Sequence, residues 1–184
     1  VVVYDINQHA VDLINKGEAP IIEADLDGLL HKVVNDGKLK ATTNLEPCDA
    51  YLIAVPTPVK NNNKPDLGAV YAAARAIAPV LHKDALVVLE STSPIGTTDE
   101  ICSIMSELRP DLTFPDKHPE TSDVMVAFCP ERILPGRTLY ELIHNDRVVG
   151  GVDQKSAAQA ESIYRIFCTG EIGLTTAKTA ELVK

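Results

Sequence analysis

The sequence predicts an α/β protein with a doubly wound, largely parallel sheet. Short apolar runs alternate with amphipathic stretches along almost all of its 184 residues, the order expected when helices cover both faces of a sheet. Three of those runs, residues 50–55, 86–89 and 124–128, are continuous rather than alternating, as in strands buried on both faces. Each ends in a loop rich in proline, hydroxyl or charged residues. In doubly wound sheets such loops, beyond the carboxyl ends of the strands, are where ligands sit.

The elements follow in chain order. Residues 1–4 form a strand, residues 8–15 a helix closed by Lys16-Gly17, and residues 25–35 a second helix closed by Gly37. A short strand over 39–42 precedes the apolar run 50–55. The polar stretch 60–65 reads as a surface loop, after which Asp66 caps a helix running to about residue 81. Strand 86–89, helix 99–108, a proline-rich loop over 109–123 and strand 124–128 come next. A short helix over 138–144, strand 147–149, helix 154–167 and strand 172–174 complete the series, and a further helical pattern opens at residue 176. The sequence starts inside a strand pattern and ends inside a helical one, so the expectation is a chain cut at both ends. Residues 1–175 then form one domain lacking its first strand and glycine-rich turn, and 176–184 begin a connecting helix.

Composition narrows the function classes. With 45% hydrophobic residues the chain can fill a core, and it holds no apolar stretch near the roughly 18 residues a membrane span needs. The chain opens directly on a strand pattern, without the basic segment and cleavage site of an export signal, so no export signal is expected. The net charge of −9 and the lack of a basic run argue against nucleic acid or a membrane surface as partner. Cys48, Cys102, Cys129 and Cys168 lack Cys-x-x-Cys spacing, which favours reduced thiols in a cytoplasmic protein and no metal site. Cys129 lies at a strand end, but no neighbouring histidine would activate it, and a buried structural thiol is the plainer reading.

Three strand-end loops carry the chemistry. Residues 54–58 read Ala-Val-Pro-Thr-Pro, where proline ends the ladder and frees the loop. Residues 90–98 read Glu-Ser-Thr-Ser-Pro-Ile-Gly-Thr-Thr, a hydroxyl-rich turn ahead of a helix, suited to anionic or polyhydroxyl ligands. Residues 129–137 read Cys-Pro-Glu-Arg-Ile-Leu-Pro-Gly-Arg and present a carboxylate and two guanidiniums. Each loop alone also fits capping, turn formation or a solvated connection.

These loops, with residues 1–7, 146–151 and 179–184, resemble in order and spacing the NAD-dependent nucleotide-sugar 6-dehydrogenases, the family of UDP-glucose and GDP-mannose dehydrogenases. The resemblance implies a Rossmann-like NAD-binding domain. Members acting on UDP-glucose or GDP-mannose typically carry an Asn-Pro-Glu-Phe-Leu type loop with a second glutamate four residues after the first. Here Pro135 stands at that second position, which points to the N-acetylhexosamine branch.

The resemblance implies NAD-dependent oxidation of C6 of a UDP-N-acetylhexosamine, such as UDP-N-acetyl-D-mannosamine, to the uronate by two hydride transfers, for surface polysaccharide. It also implies a homodimer. The family's nucleophilic cysteine follows a Gly-Gly-His type motif, and the present sequence does not contain one, so this stretch alone is expected to be inactive. Lys184 matches the lysine that meets the C6 oxygen, where a cation stabilises an oxyanion or exchanges a proton. Glu131 matches the carboxylate that positions or activates the hydrolytic water, and Thr92 the hydroxyl that orients it. Arg132, Ile133 and Leu134 match contacts to the sugar nucleotide, where an arginine suits an anion through paired donors. Val55, Pro56, Thr57, Thr92 and Thr98 match positions lining NAD.

No Gly-x-Gly-x-x-Gly occurs, so residues 1–4 read as the second strand of a dinucleotide fold, with Asp5 at the end that receives the ribose hydroxyls. No Arg or Lys follows before Lys16, which favours NAD over NADP. A helix cap is the alternative for Asp5, and a surface lysine for Lys184. At the level of the whole chain the alternatives are another nucleotide-sugar or β-hydroxyacid-type dehydrogenase and a non-catalytic binding or assembly module.

Overall fold

The computed structural model describes every residue except 22, 24, 25, 61–63 and 135. The chain divides into two compact units, Val1–Glu46 with Ile133–Ile143, and Pro47–Arg132 with His144–Lys184.

In the first unit, strand β1 (Val2–Tyr4) leads to helix α1 (Gln8–Asn15), helix α2 (Leu26–Asn35) and strand β2 (Lys40–Thr42), which pairs parallel to β1. Val11, Ile14, Leu30 and Ala41 form its core, joined by Val3, Val33 and Leu39. Asn7 caps α1 by accepting the His9 N–H at 3.0 Å. The Asn15 amide clamps the helix to β2, donating to the Ala41 carbonyl at 2.9 Å and accepting the Ala41 N–H at 2.7 Å. Gly17 ends α1 with φ +78°, and a Cβ there would lie 2.7 Å from the His31 Cα, so a side chain is excluded twice. The expected helix start at Asp25 lies outside the described residues.

The second unit carries a five-stranded sheet. Its strands are β3 (Ala50–Ile53), β6 (Leu86–Leu89), β7 (Met125–Phe128), β8 (Arg147–Gly151) and β9 (Ile172–Thr176), adjacent in that order. All neighbours run parallel except β7 and β8, so the largely parallel sheet is as expected. Every residue of β6 and β7 is buried, which accounts for their continuous apolar runs. Leu86, Val88, Met125, Ala127, Val149, Ala160 and Tyr164 pack as one core cluster.

Several boundaries differ from those the sequence suggests, each for a local reason. Strand β3 stops at Ile53 rather than residue 55, because the Val55 N–H donates to the Ser91 hydroxyl at 2.8 Å instead of continuing a ladder. The expected loop over 60–65 contains a paired hairpin, β4 (Val59–Lys60) with β5 (Lys64–Pro65), residues 61–63 lying outside the described ones. Asp66 accepts the Gly68 N–H at 3.0 Å, while Leu67 occupies the capping position of α3 (Gly68–Ile77). Pro79 cannot continue that helix, and Ala78–Val80 tighten into a 3-10 turn. Helix α4 (Thr97–Leu108) starts two residues early, its Thr97 hydroxyl donating to the Pro94 carbonyl at 2.8 Å. Helix α5 (Thr138–His144) matches expectation, α6 (Gln154–Tyr164) ends before residue 167, and α7 (Ala177–Val183) follows β9 directly under a Thr176 cap.

Candidate active site

The strand-end loops of the second unit meet around a cavity of about 260 Å³. Ala54, Val55, Pro56, Thr57, Glu90, Ser91, Thr92 and Glu131 line it. These residues are contributed by the segments that follow β3, β6 and β7, adjacent strands whose carboxyl ends lie side by side. Ser91 frames the cavity by bridging two of the loops. Its hydroxyl accepts from the Val55 N–H and donates to the Val55 carbonyl at 2.7 Å. Ser93 in turn donates to the Ser91 carbonyl at 2.8 Å.

Of the sequence-predicted residues, Val55, Pro56, Thr57, Thr92 and Glu131 come together on this cavity wall. Lys184 joins them through Glu131: its ammonium donates to the Glu131 carbonyl oxygen and lies 3.8 Å from the Glu131 carboxylate. An ammonium paired with a carboxylate at a cavity wall can hold an alcohol or carbonyl oxygen and move a proton from it.

The other predicted residues lie elsewhere. Thr98 is fully buried and does not line the cavity. Its N–H and hydroxyl both donate to Glu181 of α7, at 2.8 and 2.6 Å, and the Gly96 N–H donates to the other oxygen at 2.6 Å. The amides that a hydroxyl-rich turn offers at a helix N-terminus are therefore already held by an internal carboxylate. Arg132 is exposed at the end of the second unit's first stretch. In the first unit, Ile133 is half-buried and Leu134 is 65% exposed, with the Leu134 N–H donating to Glu141 at 2.9 Å. Asp5 follows β1, where its carboxylate accepts the Asn7 N–H at 2.8 Å. The helix cap is Asn7, so the capping alternative for Asp5 falls away. Pro135, which carries the branch argument, lies outside the described residues.

Three residues of this region were not assigned by sequence reasoning. Glu90 lines the cavity while its other face is buried, accepting the Tyr164 hydroxyl at 2.7 Å. Burial pushes its carboxyl above the ordinary carboxylate range, against the pull of the Tyr164 hydroxyl and the Arg147 guanidinium, and Glu131 adds to the rise. Arg147 lies over the Tyr164 ring at 4.9 Å and the Phe167 ring at 5.3 Å from the centroids. A charged residue directly after a wholly apolar strand marks Glu90 in the sequence; Tyr164 and Arg147 carry no comparable signal. Burial raises the Cys129 thiol, in keeping with a structural cysteine, and all four cysteines are free.

A largely parallel sheet with ligand-type loops beyond the carboxyl ends of adjacent strands is the Rossmann-like arrangement. Residues 1–168 match the model of the UDP-glucose/GDP-mannose dehydrogenase family, NAD binding domain, and the chain belongs to that family. It is 54% identical over 180 residues to an NDP-N-acetyl-D-galactosaminuronic acid dehydrogenase of Ralstonia nicotianae, covering 98% of the chain and 43% of the relative. To the UDP-N-acetyl-D-mannosamine dehydrogenase of Escherichia coli it is 52% identical with the same coverage. Among solved structures, the UDP-D-ManNAc dehydrogenase of Pyrococcus horikoshii superposes with a TM-score of 0.92 at 41% identity, covering all of this chain and 43% of that one. The chain thus spans less than half the length of the relatives it matches. Among the described residues no helix is long and apolar enough to cross a membrane.

Proposed function

We propose that this chain is the NAD-binding part of a UDP-N-acetylhexosamine 6-dehydrogenase, which oxidises the C6 alcohol of UDP-N-acetyl-D-mannosamine to the uronate with two NAD. The observation that carries the reading is the convergence of Glu131 and Thr92 with the apolar and hydroxyl residues 54–57 on one cavity, with the Lys184 ammonium paired to Glu131. NAD, when bound, supplies the hydride acceptor. Hydride transfer requires contact between the reacting carbon and the nicotinamide, so the groups that handle the C6 oxygen and the nicotinamide end belong to the same cavity.

In this reading Lys184 steadies the C6 oxygen, Glu131 and Thr92 orient the hydrolytic water, and Val55, Pro56 and Thr57 bound the nicotinamide end. Asp5 accepts the ribose hydroxyls, and its charge repels a 2′-phosphate. Arg132, Ile133 and Leu134 hold the sugar nucleotide, Thr98 stiffens the cofactor loop, residues 176–184 open the connecting helix, and the complete protein is a cytoplasmic homodimer. The nucleophile is expected outside this stretch. A second substrate reading, the N-acetyl-D-galactosamine epimer, is favoured by the 54% identical relative. Assaying NADH formation by the full-length protein with UDP-N-acetyl-mannosamine, -galactosamine and -glucosamine tests both. Turnover of the mannosamine nucleotide far above the others is expected. Preference for the galactosamine epimer would select the second reading, and turnover of none would refute the function.

A further inference from the structure

Glu90 is the described carboxylate that opens on the cavity while being tied into the buried polar cluster behind it. From α6 the Tyr164 hydroxyl donates to its Oε1 at 2.7 Å. From β8 the Arg147 guanidinium lies over the Tyr164 ring, and from the segment after β7 come the buried Cys129 thiol and the Glu131 carboxylate, which shares the cavity wall. Lys184, directly after α7, balances Glu131 through its 3.8 Å ion pair. With Glu131 so paired, Glu90 is left as the carboxyl group able to take up or lose a negative charge against whatever fills the cavity.

The two forms of the cofactor differ in the ring that this cavity would take, since an oxidised nicotinamide is a cation and a reduced one is neutral. On the reading given under Proposed function, we propose that Glu90 is a specificity-determining residue for the cofactor's redox state, its carboxylate favouring NAD⁺ over NADH and coupling NAD⁺ binding to proton release. Such a device suits an enzyme that exchanges reduced for oxidised cofactor within each turnover. The proton linkage follows from placement. Burial disfavours the charged form of Glu90 in the free protein, and a cation in the cavity restores it. NAD⁺ affinity therefore rises with pH through the Glu90 ionisation, whereas NADH affinity does not.

The test is the dissociation constant of NAD⁺ and of NADH, measured by calorimetry on the full-length protein from pH 5.5 to 8.5. For the wild type, NAD⁺ affinity should rise with pH relative to NADH. In Glu90→Gln that rise should vanish, NAD⁺ binding at pH 8.5 should weaken roughly five-fold or more, and NADH binding should stay within about two-fold. In Tyr164→Phe, which removes the donor that favours the charged carboxylate, the rise should move to higher pH. A wild-type NAD⁺/NADH ratio that is flat with pH, or a pH dependence that persists in Glu90→Gln, would overturn the inference while leaving the cofactor reading intact. If Glu90→Gln fails to fold, the wild-type and Tyr164→Phe profiles decide it. A wild type that binds neither dinucleotide would overturn the cofactor reading as well.

Discussion

Single charges placed at the ends of strands carry most of the chemistry proposed for this chain. Asp5 follows β1 and has no basic neighbour in the sequence before Lys16. In the full-length protein Asp5→Ala should raise the Michaelis constant for NAD by the loss of a charge-assisted contact, on the order of 1.5–3 kcal/mol, and leave UDP-sugar affinity nearly unchanged. Unaltered NAD kinetics in that variant would remove Asp5 from the ribose site. Arg132 is exposed, as a residue that meets a ligand should be. Arg132→Lys should weaken use of the sugar nucleotide roughly ten-fold or more, since an ammonium lacks paired planar donors, and NAD binding should hardly move. Glu131→Gln should instead lower turnover at nearly constant substrate affinity, because a group that positions water acts after substrate binds. A steady-state comparison of the two variants separates the roles. At this scale the sequence revealed the cavity well: residues 55–57, 92 and 131 were legible from strand-end position and family resemblance. Glu90 was legible as a charge in the loop but not as a buried one, because its burial depends on Tyr164, which is 74 positions away.

At the scale of elements, helix α7 is held to α4 by charge. Glu181, 4% exposed, takes two backbone N–H groups and a hydroxyl at the α4 N-terminus, and Lys178 pairs with Asp99 at 3.0 Å. Helix α7 also lies close on β8: a Cβ on Gly150 would sit 2.7 Å from the Ala180 Cβ and clash with the Thr176 carbonyl. This docking sets the position from which Lys184 reaches Glu131. Glu181→Ala should therefore destabilise the fold by about 2–4 kcal/mol, through unsatisfied buried donors and a lost helix cap. Denaturant unfolding of the variant checks this, and a midpoint equal to wild type would show that the cap contributes nothing. The sequence identified α7 as a helical pattern and Thr98 as part of a functional loop, yet gave no sign that the two touch. Local signals name caps within one helix, and a cap supplied 83 residues away has no local signature. Strand β3 makes the same point, since it ends where Ser91, on another loop, captures the Val55 N–H.

For the whole molecule, the alternation of apolar runs with helical stretches was enough to give a largely parallel α/β sheet. It could not give the antiparallel entry of β8, because strand direction depends on the path of the intervening segment rather than on strand composition. Nor does overall similarity choose the sugar: relatives named for N-acetyl-D-mannosamine and for N-acetyl-D-galactosaminuronic acid stand at 52% and 54% identity. The central claim is a two-step oxidation at C6 of a nucleotide N-acetylhexosamine, and its most direct test is stoichiometry. With the full-length protein and UDP-N-acetyl-D-mannosamine limiting, the account predicts about two NADH formed for each nucleotide sugar consumed, with the uronate as product. One NADH per sugar with an aldehyde released, or no NADH at all, would contradict it.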